Sequence, residues 1–390
     1  MIIKDFVIIG AGIAGFSAIK AIREETKEKS ILWITNEDRI PYKRTKINKN
    51  IAKGFNKNDF ALIEHDWLVD NHIELLYDEV TEIKTDKNEL IFNHRGHLRY
   101  KKLIIATGNT PNPLNINNLP AENIHHIHSA RQAENIIRTT RQSNKYLIIG
   151  AGVEGVEIAD QLIKLKKEVV LVEKNKEVIS RFFNPRFSQL MRKSIINSGI
   201  NLITEVKNIS YKESLSDQAI IEIDGIEYEF DTIISTIGYT PNIKLADDSY
   251  ITCDKGILVN EKLETSAQDV YAAGDVAQHP SGEITGLWHA AEKQGYIAGK
   301  NAAGQNLQNI LKPFRMKTEV FNEFYFSALP PNNDTNVITE EKENMIRELY
   351  FKNNKLQGVL MLNDQSRAKT YQRALMEQWT PDEINKKLPL

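Results

Sequence analysis

Phe6-Val7-Ile8-Ile9-Gly10-Ala11-Gly12-Ile13-Ala14-Gly15 returns later in the chain as Tyr146-Leu147-Ile148-Ile149-Gly150-Ala151-Gly152-Val153-Glu154-Gly155. Each copy opens with a continuous apolar run bounded by glycine, the pattern of a strand buried on both faces of a parallel sheet. A helical pattern follows, residues 13–22 in the first copy and 153–165 in the second. A second strand comes next, at residues 31–35 and 168–173. Two further segments echo each other in the same order, residues 103–112 ending in Thr107-Gly108-Asn109-Thr110-Pro111-Asn112 and residues 233–242 ending in Thr236-Ile237-Gly238-Tyr239-Thr240-Pro241-Asn242. No third copy follows residue 311. A unit written twice in this order predicts an α/β fold with two parallel sheets.

The spacing G-x-G-x-x-G between a buried strand and a helix is the context that a dinucleotide-binding turn requires. Gly10 and Gly150 permit the tight turn, Gly12 and Gly152 let backbone approach a pyrophosphate, and Gly15 and Gly155 bring helix close to strand. The helix start then presents free N–H groups and a positive dipole end to the anion. An acid about 20 residues on should hold a ribose hydroxyl. Glu173 closes its strand and fits that role, favouring NADH over NADPH by repelling the extra phosphate. Lys174 and Lys176 beside it could instead meet that phosphate. In the first copy Glu37 is favoured over Asn36. The plainer reading of either acid is a solvated strand end.

Composition bounds what such a chain can do. Its 390 residues suggest two or three domains, and 41% apolar residues suffice to fill their cores. Fifty Lys and Arg against 52 Asp and Glu leave a net charge of −2, which argues against a general nucleic-acid binder. A single cysteine, Cys253, excludes an intramolecular disulfide, a CxxC metal site and a dithiol relay within one chain. Redox chemistry must then come from something bound, in a reducing compartment. The longest apolar stretch, residues 6–19, is broken by Gly10, Gly12, Gly15 and Ser17 and falls short of the roughly 20 residues of a membrane span. Lys4-Asp5 is no basic leader. A soluble, cytoplasmic protein with no membrane contact is expected. The histidines of Ile124-His125-His126-Ile127-His128 have no acid or cysteine at ligand spacing, so an exposed linking strand is expected there and no metal.

Asp269-Val270-Tyr271-Ala272-Ala273-Gly274-Asp275-Val276-Ala277 resembles the second FAD-binding motif of the pyridine-nucleotide–disulfide oxidoreductase superfamily. With the two fingerprints, the resemblance covers about residues 1 to 310. It implies two Rossmann-like dinucleotide-binding domains, as in glutathione reductase, and a small α+β C-terminal domain. FAD would lie on residues 1–112 and 239–311, NADH on residues 113–238, and the C-terminal domain would span 312–390. Asp275, with Gly274, would contact the ribityl and phosphate part of FAD. Ala106, Thr107, Gly108 and Gly238 would line the cofactors from the two Thr-Gly type turns. Leu287 and Trp288 open a helix, ending near Ala303, whose start would face the flavin O2. Its small residues Ala290, Ala291, Gly295, Ala298 and Gly299 would pack against the cofactor. Trp288 is either a stacking ring or core, and His289 a helix-start residue. In the tail, residues 347–351 and 359–362 flank Asn353-Asn354-Lys355 as a hairpin, and residues 365–378 are helical in character.

The disulfide reductases of this superfamily carry a CxxxxC dithiol where residues 41–53 here have no cysteine. That leaves the thiol-free branch of rubredoxin, ferredoxin-type and flavorubredoxin reductases and the flavin half of nitrite reductases. Ile40-Pro41-Tyr42-Lys43-Arg44-Thr45-Lys46-Ile47-Asn48-Lys49 is similar to that branch's PYxRPxLSK segment, with Thr45 for proline and Asn48 for serine. The length of the following stretch resembles the rubredoxin reductases most. The resemblance puts Lys49 beside the flavin N5 edge facing Glu157, and Arg44 on the FAD pyrophosphate. The cations of residues 39–53 (Arg39, Lys43, Arg44, Lys46, Lys49, Lys53) would in part steer a small acidic carrier such as rubredoxin, or simply form a solvated face. The implied activity is NADH oxidation through FAD with electrons passed to that carrier. The alternatives are an oxygen-reducing NADH oxidase and an NADH-sensing flavoprotein acting through a binding partner.

Overall fold

The computed structural model describes residues 2–212, 218–310, 315–328 and 335–390. The chain divides into two compact units. The first comprises Met1–Lys46, Asn56–Thr110 and Tyr239–Leu311. Its central strand, Ile3–Ile9, is buried over its last four residues and pairs in parallel with Ile31–Thr35 on one side and His97–Ile105 on the other. Ile73–Tyr77 extends the parallel sheet beyond Ile31–Thr35, and Val270–Ala272 pairs in parallel with the end of His97–Ile105. An antiparallel hairpin, Val80–Lys84 with Glu89–Phe92, adds to the start of that same strand. Ile31–Thr35 is buried throughout, as an unbroken apolar run between helices should be.

The second unit comprises Ile47–Phe55, Pro111–Gly238 and Lys312–Leu390. It repeats the scheme with Asn201–Ile203, Glu168–Val172, Lys145–Ile149, Thr232–Ser235 and Ile124–His125 side by side, all parallel. A three-stranded antiparallel sheet, Ile209–Lys212, Ala219–Ile223 and Ile226–Phe230, shares a core with it. The tail forms a five-stranded antiparallel sheet in the order Arg315–Val320, Glu323–Ala328, Lys355–Leu362, Met345–Lys352, Asn336–Lys342. Ala368–Met376 and Pro381–Lys387 pack against it through Tyr371, Leu375 and Ile384. The hairpin turns at Asn353 and Asn354, both in the left-handed region (φ 49 and 60), the conformation that a two-residue type I′ turn demands. Residues 47–55 go with the second unit although they interrupt the first in sequence.

The fingerprint helices run Ile13–Glu25 and Val153–Lys164. The helix at Trp288–Ala302 corrects one expectation. Its Gly295 and Gly299 approach a helix of the same unit. A Cβ on Gly295 would lie 2.0 Å from the Ala14 carbonyl oxygen, and one on Gly299 would lie 2.3 Å from that of Ala18. Ala298 is wholly buried in the same core. Small side chains are needed here because two backbones touch, and the packing partner is the first fingerprint helix.

Candidate functional site

Gly10 ends the first strand with φ +113, and a Cβ there would stand 2.1 Å from the Ala106 oxygen. Its own carbonyl accepts the Trp33 indole N–H at 2.9 Å. A Cβ on Gly15 would meet that same carbonyl at 2.1 Å. These two glycines are therefore required by the protein itself. Gly12 is different: it caps the helix with φ −83 and ψ −174, no side chain satisfies the helix start, and a Cβ there would meet nothing within 4 Å. The first turn carries no acid. An open space over unsatisfied helix N–H groups fits a pyrophosphate.

The second copy repeats this geometry. Gly150 (φ +109) abuts the Thr236 oxygen, Gly155 abuts the Gly150 oxygen, and Gly152 faces open space. It differs in carrying Glu154 in the first helical turn. Glu173 follows the neighbouring strand, and its carboxylate is already engaged. One oxygen accepts the Ala151 N–H at 2.8 Å and the other accepts the Asn175 N–H at 2.9 Å. The acid expected at a ribose thus also fastens the glycine turn. Lys174 and Lys176 are exposed.

In the first unit Glu37 and Arg44 form an ion pair with each other, and Tyr42 donates its hydroxyl to Glu37 at 2.8 Å. The Arg44 guanidinium lies 5.4 Å over the Tyr42 ring. Arg39 is buried. The six cations of residues 39–53 are therefore not one solvated face: Lys43, Lys46 and Lys53 are exposed, while Arg44 and Lys49 each face a carboxylate.

Each Thr-Gly type turn is fastened within its own unit. Strands Asn109–Pro111 and Tyr239–Pro241 pair, and each asparagine that follows reaches across: Asn112 N–H to Gly238 O and Asn242 N–H to Gly108 O, both 2.9 Å. Asn242 also donates its amide to Thr107 O at 2.8 Å. Asp275 follows strand Val270–Ala272 and Gly274, and accepts from the Asn109 side chain at 3.0 Å. Leu287 precedes the Trp288–Ala302 helix, and no side chain caps the helix start. Trp288 is half-buried against the core of the first unit. His289 is exposed beside Glu292.

Lys49 and Glu157 come together within the second unit. The ammonium lies 2.9 Å from Glu157 Oε1; the lysine is partly exposed and the glutamate buried. Asn48 donates to Glu157 Oε2 at 2.8 Å, and Thr318 donates to Oε1 at 2.7 Å. Neither Thr318 nor the bond from Asn48 is foreshadowed in the sequence. Cys253 is half-buried, donates its thiol to Ile251 O at 3.2 Å, and has its pKa pushed up to about 11 by burial. A thiol held protonated there is a poor nucleophile. The histidine segment is a half-buried edge strand rather than an exposed link. Ile124–His125 pairs with Ile233–Ile234, and burial lowers the pKa of both His125 and His126. Among the described residues no three His, Cys, Asp or Glu side chains group as metal ligands, and no helix is long and apolar enough to cross a membrane.

Two glycine cradles, each followed by an acid, in a chain whose Thr-Gly type turns are each fastened by an asparagine, invite comparison with known proteins. Residues 4–295 match the sequence model of the pyridine nucleotide-disulphide oxidoreductases. The chain belongs to that family. Within the pyridine nucleotide-disulphide oxidoreductases it stands with the thiol-free members, since Cys253 is its one cysteine. It is 28% identical over 382 residues to the NADH-rubredoxin oxidoreductase of Clostridium acetobutylicum, covering 97% of this chain and 96% of that one. An NADH oxidase of Methanocaldococcus jannaschii is 30% identical over 76% of this chain and 70% of its own. The crystal structure of a ferredoxin reductase from Rhodopseudomonas palustris superposes with a TM-score of 0.88 at 22% identity, covering 97% and 96% of the two chains. That of NADH:rubredoxin oxidoreductase from Clostridium acetobutylicum gives 0.79 at 25%, covering 99% and 100%. The fold is that of the ferredoxin reductases.

Proposed function

We propose that this protein is an NAD(P)H-dependent flavoprotein reductase that passes electrons to a small acidic redox carrier, with rubredoxin as the acceptor and NADH as the donor. The observation that carries the reading is the pair of cradles at Gly12 and Gly152, both open to a ligand in a chain whose one thiol is held protonated. Two dinucleotides and no protein dithiol leave the flavin itself to meet the outside acceptor. Bound FAD supplies the chemistry, taking an electron pair from the nicotinamide and releasing electrons singly.

The chain's own residues bind and orient. FAD is assigned to residues 1–112 and 239–311, with Gly12, the helix start and Arg44 at its pyrophosphate, Glu37 at its adenosine ribose, and Asp275 at its ribityl chain. NADH is assigned to residues 113–238, with Gly152 and Glu173. Lys49, held by buried Glu157, is the cation that favours negative charge on the reduced flavin. The exposed lysines Lys43, Lys46 and Lys53 favour an acidic partner, and the scarcity of cysteine fits a reducing, cytoplasmic setting.

The test is to bleach the yellow protein anaerobically with NADH and compare reoxidation by rubredoxin, ferredoxin and oxygen. Rubredoxin is expected to be fastest. Reoxidation by oxygen alone would overturn the carrier reading in favour of an oxidase, a reading favoured by the likeness to the Methanocaldococcus protein. Lys49→Ala is expected to slow bleaching by NADH with FAD still bound; an unchanged rate would remove Lys49 from the mechanism.

A further inference from the structure

Strand Arg315–Val320 turns Met316, Thr318 and Val320 inward, and all three are buried. Two of these inward side chains are apolar, while the third carries a hydroxyl spent on Glu157 at 2.7 Å. The Glu157 carboxylate thus has three donors: Thr318 and Lys49 on Oε1, Asn48 on Oε2. The same helix offers Asp160 and Gln161, three and four residues on and so on the same face. Asp160 accepts the Phe321 N–H at 2.8 Å, and Gln161 accepts the Ala52 N–H at 3.3 Å. The C-terminal sheet and the lysine-bearing segment therefore grip one buried polar face of the second fingerprint helix from two directions.

We infer that Thr318 is a positioning residue for the reductase: it fixes the Glu157 carboxylate in the orientation that holds the Lys49 ammonium. The inference rests on the assignment of Lys49 given above. A buried carboxylate needs every strong acceptor site filled, and a charged hydrogen bond confers direction as well as energy. Without the hydroxyl, Oε1 keeps only a flexible, partly exposed lysine. The carboxylate then gains rotational freedom and the ammonium follows it.

The experiment compares Thr318→Val, which keeps the volume, with Thr318→Ser, which keeps the hydroxyl. One readout does not depend on turnover: the rate at which an amine-acylating reagent labels Lys49 in the purified holoprotein, followed by peptide mass spectrometry. The second is the rate of flavin bleaching by NADH. Thr318→Val is expected to label about threefold faster and bleach about fivefold slower, Thr318→Ser to stay within about twofold of wild type in both, and Thr318→Val to add nothing in a Glu157→Gln background. Wild-type labelling and bleaching in Thr318→Val, or an undiminished effect of it in the Glu157→Gln background, overturns the inference. Failure of the underlying assignment is distinct, since it shows as a wild-type bleaching rate in Lys49→Ala. A slow Lys49→Ala beside a wild-type Thr318→Val sinks the role of Thr318 alone.

Discussion

Replacing Gly12 and Gly15 by alanine, one at a time, separates the glycine that the ligand needs from the glycine that the fold needs. In Gly15→Ala the new methyl would lie 2.1 Å from the Gly10 carbonyl oxygen. That is about 1 Å inside an ordinary carbon–oxygen contact, against a backbone oxygen with the Ile8 and Trp33 side chains also at 3.2 Å, so the overpacking cost should reach about 3 kcal/mol. In Gly12→Ala the methyl meets no protein atom within 4 Å, and the backbone angles, φ −83 and ψ −174, suit any residue. Alanine caps a helix slightly worse than glycine but restricts the unfolded chain, two effects of roughly 0.5 kcal/mol and opposite sign. Apoprotein stability should therefore stay within about 0.5 kcal/mol of wild type. The methyl instead occupies the space over the helix start and holds an anion off the free N–H groups. Losing one hydrogen bond to a charged ligand costs about 1.5–3 kcal/mol, so FAD should bind about ten- to a hundredfold more weakly. Urea unfolding of the FAD-free proteins measures the first quantity, and fluorescence titration with FAD the second. The reasoning fails if Gly12→Ala binds FAD like wild type, or if it destabilises the apoprotein as much as Gly15→Ala.

The remaining predictions concern single groups. Glu173→Gln keeps an acceptor for the Ala151 N–H but removes the charge, so preference for NADH over NADPH should fall about tenfold, seen in kcat/KM for the two donors. Cys253→Ala should leave turnover unchanged, and iodoacetamide labelling of Cys253 should be slow near neutrality and accelerate as pH rises towards about 11. Asp5 has its pKa lowered to about 2, first by Lys101 and also by the Ser30 backbone and hydroxyl. A depressed carboxylate stabilises the fold above its ordinary pKa and loses that contribution as pH falls through the native value. Because its main partner Lys101 is exposed to solvent, Asp5→Asn should cost under about 1 kcal/mol at neutral pH, and the difference from wild type should vanish below about pH 2 in urea unfolding.

The parallel sheets were legible because a strand buried on both faces is an uninterrupted local run, and the repeat supplied two examples. The Asn353-Asn354 hairpin was legible for a similar reason, since the turn conformation selects its residues. The closing helix Pro381–Lys387 carried an equally local signal, a Thr380–Glu383 capping box with proline in the first turn, which the reading of residues 365–378 stopped short of. The small residues of Trp288–Ala302 announced a close approach, but smallness does not say what approaches. Asn48 stood out as a departure from serine, yet its partner lies 109 residues away, and Thr318 meets Glu157 across 161. Such pairings are products of tertiary packing, and nothing in the local pattern of an alternating strand marks which inward residue will need a hydroxyl.

The asparagines that follow the paired strands Asn109–Pro111 and Tyr239–Pro241 have a topological consequence. Residues 112 and 238 bracket a long excursion of the chain, yet Asn112 donates to Gly238, so the exit and the return are bonded neighbours. The contour length between them is closed at a single short ribbon. Since closure entropy grows only as the logarithm of loop length, lengthening the excursion costs little, and shortening it gains equally little. The ribbon works as a clasp: it holds the two ends of the excursion side by side, whatever the length of chain between them.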